Sequence, residues 1–366
     1  MATYYVGAGG NNSNAGTSWA QRKLTLNGAE DIPVQAGDTV YVGAGTYREQ
    51  LTCDVSGSSG SPITYIGDYD GSHTDGTGGV VRITGSNDDQ TITARNGIFI
   101  IKNYRTFRGF VFDSCGANYA AIYSADTADV SDVTVDSCFF AGQNRAIMFA
   151  NRAPLRLTVT NCFFSSHTFG ISIATAGDDR NNVINNCLFI GSSHYTDGAI
   201  RCGGGGTTIK NCTFYANYYS IYVPTLNAGQ TVTVNNCNFY EGRYGLVGQS
   251  ADDLVEDYNN IYSIEVARSN VATGAHSTAY ISLFDTRWFF EMVNGGSMLS
   301  PFDLASYSQL INVAGTSPTT ADIRGTTVQG AQREWGALEY DSTLDIEAGS
   351  GGGGAVRILP FGGIGL

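Results

Sequence analysis

The stretch Thr208-Ile209-Lys210-Asn211-Cys212-Thr213-Phe214 recurs along this chain. Its Cys has five copies, at intervals of 24, 25, 25 and 25 residues: Cys138, Cys162, Cys187, Cys212 and Cys237. A Phe follows each Cys two residues later, and an Asn precedes four of the five, with Ser137 in the first copy. Agreement at three positions over five copies predicts a repeat architecture.

On both sides of the Asn, the character of the side chains alternates from one residue to the next, and this period of two predicts strands. Asn tolerates the left-handed backbone of a tight bend, so we expect Asn161, Asn186, Asn211 and Asn236 to line one turn as a ladder. Cys and Phe then point inward and form columns. Side by side in parallel strands, the thiols are expected to stay free and buried rather than form disulfides or bind a metal.

A third strand follows in each repeat. Nine residues after the Cys stands an apolar residue, and in the coil of Cys187 the interval of thirteen indicates a loop at 192–197. Three strands per coil of about 25 residues predict an all-β, right-handed parallel β-helix. Less regular coils are expected to extend the β-helix in both directions. In the coil before the first clear repeat, Phe110 takes the Cys position. On the other side, Asn260 is expected at the Cys position and Tyr262 at the Phe position.

Composition limits the partners. The formal net charge is −13 and only 14% of the residues are charged, so binding to a nucleic-acid backbone is not expected. The first residues resemble no secretory signal, and no apolar run reaches the ~18 residues of a membrane span. We therefore expect a soluble protein made in a host cytoplasm, without a cofactor.

Five regions are expected along the chain. Residues 1–36 form an N-terminal cap with a short amphipathic helix at 19–29, 37–262 the β-helix, and 263–341 C-terminal coils and a closing segment. A Gly-rich linker, 342–355, leads to an apolar peptide at 356–366. That peptide either folds back on its own helix or docks on another subunit. Its candidate attachment residues are Ile358, Leu359, Phe361, Ile364 and Leu366.

Four segments carry a family resemblance. Residues 36–49, which include Gly37-Asp38-Thr39-Val40-Tyr41-Val42, and 61–67 resemble the first coils of the pectate-lyase-like β-helix superfamily. This superfamily includes the chondroitinase and alginate-lyase group and many phage and bacterial proteins. Residues 322–325 and 335–340 resemble its closing segment. The resemblance implies the fold and leaves the activity open, because this fold hosts many functions.

The outward positions of the third strand are the first candidate site. They are expected to be Tyr123, Met148, Ser172, Arg201, Tyr222 and Val247, without a carboxylate. Tyr123, Tyr222 and Arg201, with His194 and Tyr195 of the inserted loop, predict a carbohydrate-binding face, because aromatic rings pack on sugars and Arg binds their oxygens. A partly exposed strand face is the simpler interpretation.

Two acidic clusters are candidates for a catalytic or metal-binding site. Asp178, Asp179 and Arg180 follow a third strand and are the candidate catalytic group of a lyase or glycosidase, although Asp is common in turns. Asp68, Asp70 and Asp75 have a composition like that of a Ca²⁺ loop but lack the EF-hand spacing, so turn formation is the main interpretation. We expect no metal.

Taken with the absent catalytic pattern, these features predict a non-enzymatic structural protein of a phage-type virion. It would act as a decoration, fibre or spike subunit at the virion surface, joined to other capsid or tail subunits through its C-terminal peptide. Surface glycans are possible ligands, and a homo-oligomer is a further option. The alternative is a polysaccharide lyase or glycoside hydrolase, and a bacterial adhesin is third.

Overall fold

The chain folds into a parallel β-solenoid with almost no helix. The computed structural model describes residues 1–279 except 32–33, 89–94, 101, 117, 125–128, 143–144, 166, 176–177, 194–197 and 225, together with 284–285 and 303–304. Within these ranges, no helix has the length and apolar character needed to cross a membrane. The predicted linker 342–355 and the apolar peptide 356–366 lie outside the described residues.

Each coil contributes one strand to a ten-stranded sheet, here called the first stack. These strands end at the Asn-type turn and pair in parallel with the same position one coil away. Their bounds are Thr3–Val6, Thr39–Val42, Ile63–Gly67, Arg105–Arg108, Val133–Asp136, Thr158–Thr160, Val183–Asn185, Thr208–Lys210, Val232–Asn235 and Leu254–Asp257.

The other strands form a single fifteen-stranded sheet. Its second stack, directly after the Asn-type turn, contains Gly45–Tyr47, Val81–Thr84, Val111–Asp113, Phe139–Ala141, Phe163–Ser165 and Leu188–Ile190. Its third stack contains Leu51–Cys53, Ile98–Ile100, Ala120–Ser124, Arg145–Phe149, Phe169–Ile173 and Ile200–Cys202. The long strands Thr213–Val223, Asn238–Gly248 and Asn260–Ser269 run through the corner and join the two stacks. Phe284–Asp285 and Asp303–Leu304 pair separately and antiparallel.

The core has the two predicted columns. All eight cysteines are buried and free, which confirms the expectation for the five in the repeat. The rings of Phe112, Phe140, Phe164, Phe189, Phe214 and Phe239 stack in sequence, with centroids 4.5 to 5.0 Å apart and planes within 8°. The register of one coil is thus repeated with little change over six coils.

The predicted turn ladder forms, with one difference in its bonds. Asn161, Asn186, Asn211 and Asn236 all adopt φ values between 52° and 60°, in the left-handed region. The Asn186 amide donates to Asn161 Oδ1 at 2.8 Å. The Asn211 amide, however, donates to Asn185 Oδ1 at 2.7 Å. The ladder therefore also uses an Asn that stands one residue before the bend.

Two local predictions are correct in kind but wrong in extent or register: the short N-terminal helix is present but shorter than predicted, and the last long coil is shifted. In place of one helix over 19–29, the chain has a 3-10 helix at Trp19–Gln21 and a short α-helix at Leu26–Glu30, whose N-cap Thr25 accepts from Gly28 N. In the last long coil, Asn259 takes the Cys position and Ile261 the Phe position, because Asn238 pairs with Asn260 and Phe239 with Ile261. The prediction was one residue out of register.

Arg–Glu pairs with a buried Glu lie near both ends of the described solenoid. At the N-terminal end, Arg105 is fully buried and donates from Nη1 to Glu30 Oε1 at 2.6 Å, and Tyr65 Oη donates to the same oxygen at 2.6 Å. This joins the short α-helix to the coils beneath it. At the other end, Arg268 Nε donates to the buried Glu256 carboxylate at 2.8 Å.

Candidate functional site

The outward row of the third stack lies in register, as predicted. Phe99 pairs with Tyr123, and the row continues through Met148, Ser172, Arg201 and Tyr222. We call these six residues the third-stack face. The Phe99 and Tyr123 rings stack with centroids 5.9 Å apart. Val247, the next residue in register, is only 9% exposed and adds little surface.

A cavity of about 340 Å³ opens on this face, beside Arg201. Its lining residues are Met148, Phe149, Ala150, Ser172, Ala174 and Arg201. The Arg201 side chain is positioned by a bond from Nη1 to the carbonyl oxygen of Ile173, 3.0 Å away. Ser172 and Arg201 place a hydroxyl and a guanidinium beside Met148 and Ala174, and this arrangement can bind a small polar group that has an apolar side.

A tyrosine cluster adjoins this face and was missed by the sequence analysis. It consists of Tyr218, Tyr219, Tyr222 and Tyr244, and we call it the tyrosine cluster. Tyr219 and Tyr244 stack at 4.4 Å and 11°, while Tyr219 and Tyr222 lie 6.1 Å apart with planes tilted by 55°. The guanidinium of Arg243 lies 5.0 Å from the centre of the Tyr218 ring and 5.4 Å from that of Tyr244.

The Tyr219 hydroxyl of this cluster stays protonated at neutral pH. Burial, followed by the neighbouring Tyr244, raises the pKa of Tyr219. The Tyr222 hydroxyl accepts a bond from Gln249 Nε2 at 3.0 Å. Because the Tyr219 and Tyr244 rings stack on each other, one face of each ring is covered by the other ring. The 25-residue interval between these two tyrosines was the available signal.

The remaining predicted binding residues, His194 and Tyr195, lie outside the described residues. The structure therefore brings together Tyr123, Arg201 and Tyr222 on one row, in the order in which their coils follow one another. It adds the tyrosine cluster at the Tyr222 end of that row.

The predicted catalytic group forms ion pairs instead of a carboxyl pair. Arg180 is fully buried, and its guanidinium lies 2.7 Å from Asp178 and 2.5 Å from Asp129. Asp129 also pairs with Arg152. Hydrogen bonds from Arg152 and Arg180 lower the pKa of Asp129 to about 2. Asp179, the third candidate, forms a backbone bridge with Gly205 of the next coil.

Sequence analysis missed Asp129, which comes from a coil two repeats before Arg180. Its signal was the coil spacing, since Asp129 and Arg180 are 51 residues apart and Asp129 and Arg152 are 23 apart. A carboxylate held by two guanidiniums stays ionised, whereas the general acid of a glycosidase needs a raised pKa.

The candidate Ca²⁺ residues each bind groups of their own loop. Asp68 Oδ2 accepts from the backbone N–H groups of His73 and Thr74 at 3.0 and 2.8 Å. Asp70 accepts from Ser72 N at 2.9 Å, and Asp75 from Thr77 N at 2.9 Å. These bonds are typical of turns. Among the described residues, no three His, Cys, Asp or Glu side chains gather in a way that could hold a metal ion.

Residues 96–261 match the family of the right handed beta helix region. The chain is a right-handed parallel β-helix. Among solved structures, pectate lyase Pel9A resembles it with a TM-score of 0.54 and 17% identity, over 93% of this chain and 97% of that one. This similarity confirms the fold of the β-helix predicted from the repeat. No curated protein sequence matches the chain significantly.

Two further solved structures align with lower scores. The GH136 lacto-N-biosidase from Eubacterium ramulus aligns with a TM-score of 0.43 and 12% identity, over 76% of this β-helix and 56% of that chain. The PL6 family alginate lyase AlyGC aligns with a TM-score of 0.41 and 13% identity, over 74% and 40%.

Proposed function

We propose that this β-helix is a non-catalytic glycan-binding protein and that its ligand lies on the third-stack face. The observation that carries the proposal is the continuity of this surface. Arg201 of the cavity is paired with Tyr222 on the next coil, and Tyr222 belongs to the tyrosine cluster, so hydroxyl and guanidinium donors follow one another over successive coils.

The chemistry of this surface suits a sugar chain. Sugars present hydroxyl oxygens at their edges and C–H groups on their faces, so they need donors beside apolar area. The Tyr219 hydroxyl and the fixed guanidinium of Arg201 supply donors, and Met148 and the Tyr rings supply apolar contact. The rigid strands hold these groups in place, which reduces the ordering cost of binding.

The alternative, a polysaccharide lyase or glycoside hydrolase, is less well supported. The third-stack face carries no carboxylate, whereas glycosidases need two carboxyl groups about 5–9 Å apart. Asp178 and Asp129, the nearest equivalent elsewhere, are both paired with the buried Arg180. Such pairing stabilises a surface turn and gives neither a general acid nor an unpaired base.

A glycan array probed with the purified protein tests the proposal. Tyr222→Ala and Arg201→Gln are each expected to weaken binding of any glycan retained by the wild-type chain at least about tenfold. Tyr69→Ala is the control, because Tyr69 is 68% exposed on a separate loop. Retention unaffected by either variant would refute the proposed site.

The same glycans, incubated with the protein, test for catalysis. We expect no release of unsaturated or reducing ends, with or without Ca²⁺. Turnover that is abolished by Asp178→Asn or Asp179→Asn would favour the lyase or hydrolase alternative.

We further propose that the β-helix is displayed on a virion surface through residues 356–366. This part rests on the resemblance to phage β-helix proteins and on the apolar, Gly-tethered composition of that peptide. Removing residues 349–366 is expected to leave the melting temperature unchanged and to prevent incorporation into particles. A large loss of thermal stability would instead identify the peptide as an intramolecular cap.

A further inference from the structure

A histidine is buried in the corner between the second and third stacks. His167 is 1% exposed, and neither of its ring nitrogens has a hydrogen-bond partner. The Phe164 ring of the core column meets the imidazole edge-on, with centroids 6.0 Å apart. Burying a polar group without a partner costs free energy, and most buried polar groups in folded proteins are bonded. This ring therefore lacks the bonds that a buried polar side chain normally makes.

The equivalent corner residues of the next two coils do make such bonds. The register of the second stack makes Ser192 and Asn217 the equivalents of His167. Ser192 Oγ donates to the carbonyl oxygen of Thr168 at 3.1 Å. Asn217 Nδ2 donates to the carbonyl oxygen of Phe189 at 3.1 Å, and its Oδ1 accepts from Ser192 N at 2.9 Å. The corner can thus bond a polar side chain, but it does not bond the imidazole.

The adjoining third-stack strand provides the space for the imidazole. A Cβ added at Gly170 would lie 2.8 Å from His167 Nε2 and 3.2 Å from a ring carbon of Phe189. In the next coil, Ala199 is in register with Gly170, and the smaller Ser192 replaces the histidine. A larger corner residue thus faces a smaller strand residue. The imidazole fits closely between the two stacks.

The surroundings of the ring favour its neutral form. The groups packed around it are the Phe164 and Phe189 rings, Gly170, and Ser193, whose N–H donates to the His167 carbonyl oxygen at 3.3 Å. None of these groups is charged or titratable, and burial alone lowers the pKa of His167 to about 3. Among the described residues, nothing therefore offsets the cost of burying an imidazolium.

We propose that His167 is an acid-sensitive latch, which keeps the corner between the second and third stacks closed while its ring is neutral. Uptake of a proton by the ring favours an open corner, in which the imidazolium is hydrated and the strand Phe169–Ile173, which follows the corner, is released. The latch requires no ligand, so it can be tested apart from the proposed function.

The direction of the pH dependence follows from proton binding. A histidine in water titrates near pH 6.5, so below that pH the open corner binds a proton that the closed corner excludes. The closed corner is thus fully stable above about pH 6.5 and loses stability as the pH falls. The equilibrium constant for opening rises about tenfold for each pH unit below that value.

Amide hydrogen exchange of the full chain tests the latch. After correction for the intrinsic pH dependence of exchange, we expect the strand Phe169–Ile173 to exchange about thirtyfold faster at pH 5.0 than at pH 7.5. The strand Val232–Asn235 of a later coil is the internal control and should not change. Equal acceleration of both strands would mean that the whole solenoid opens, and no acceleration would mean that the corner does not respond to acid. Either result would refute the latch.

His167→Asn is the matched variant, because it copies the equivalent Asn217 of a neighbouring coil. It should abolish the acceleration in acid. His276→Asn is the control, because the His276 side chain is 55% exposed, and it should retain the acceleration. Acceleration that persists in His167→Asn would overturn the proposal.

A measurement on the wild-type chain applies even where the variant does not fold. Exchange of the imidazole C2 hydrogen, read by mass spectrometry, reports the accessibility and titration of each histidine. At pH 7.5 we expect the His167 ring to exchange at least about tenfold more slowly than the ring of His276. Equal rates for the two rings would show that His167 is not sealed in the corner.

Discussion

Glu256 and Arg268 face each other in the coil where the described solenoid ends, with Arg268 Nε 2.8 Å from Glu256 Oε1. One coil earlier, the same two positions are held by Val234 and Leu246, which are fully buried in the core. Asn259, Ser277 and the backbone of Gly274 also donate to the Glu256 carboxylate. In the last described coil, an ion pair with a buried Glu therefore replaces the two apolar core residues of the coil before it.

Removing one partner of this pair is expected to be costly. Arg268→Leu leaves the fully buried Glu256 carboxylate without its counter-charge and should lower the free energy of unfolding by about 3 kcal/mol. The double variant Glu256→Val with Arg268→Leu, which copies the preceding coil, should cost less than half of that. Urea unfolding of the three proteins measures both. A double variant less stable than Arg268→Leu would contradict this account.

The Phe column makes the centre of the solenoid sensitive to truncation. Phe189→Ala removes a fully buried ring that stacks on Phe164 at 4.5 Å and on Phe214 at 5.0 Å. The cavity should lower the free energy of unfolding by about 3–5 kcal/mol. Urea denaturation followed by circular dichroism is the measurement. Tyr69→Ala, on an exposed residue, should change stability by less than about 0.5 kcal/mol.

Two substitutions in the turn ladder can distinguish the cost of backbone strain from the cost of a lost hydrogen bond. Asn186 has φ 60° and donates to Asn161 Oδ1 at 2.8 Å. Asn186→Gly loses the bond and keeps the left-handed backbone, while Asn186→Ala loses the bond and strains the backbone as well. We expect the Ala variant to be less stable than the Gly variant by about 1 kcal/mol. Equal melting temperatures would mean that the backbone conformation relaxes at no cost.

The buried thiols make stability fall in alkaline solution. Burial raises the pKa of Cys53, Cys115, Cys138, Cys162, Cys187, Cys202 and Cys237, that of Cys115 to about 12. Free thiols of an unfolded chain titrate near pH 8.5. Above that pH the unfolded state loses protons that the folded state retains, so deprotonation favours unfolding.

Stability from this source is therefore complete below about pH 8.5 and decreases as the pH rises above it. Melting temperatures recorded under reducing conditions from pH 7 to pH 10.5 should be constant at first and then decline. The variant Cys187→Ala should show a shallower decline, even though its cavity lowers the melting temperature at pH 7. A flat profile up to pH 10.5 would contradict the burial of the column.

The fold could be predicted because one coil is written five times in the sequence. Each of the three repeated residues has its own structural role. Cys makes a small apolar contact in the core, Phe makes a large one, and Asn adopts the left-handed backbone of the bend. Where the repeat weakens, the prediction failed by small amounts. Asn259 and Asn260 are adjacent and chemically equal, so the sequence alone could not assign the Cys position between them.

The site was harder to predict, since it depends on contacts between coils outside the repeat. The row through Tyr123, Arg201 and Tyr222 followed from the strand period. The tyrosine cluster and Asp129 were not predicted, because they lie outside the Asn-Cys-x-Phe motif that defined the coils. Arg180 was assigned to a solvated turn or a catalytic group, yet it is buried, and only its two carboxylate partners explain why.

The column of buried cysteines also affects how long the folded protein survives in an oxidising medium. While the coils stay closed, every thiol is sealed from oxidants and the protein behaves as though it had none. A single excursion to the open chain in an oxidising medium would release eight reactive groups at once, and mixed disulfides would then block the return. Outside a reducing compartment, the lifetime of this protein is thus governed by how rarely it opens, and not by the equilibrium between its two states.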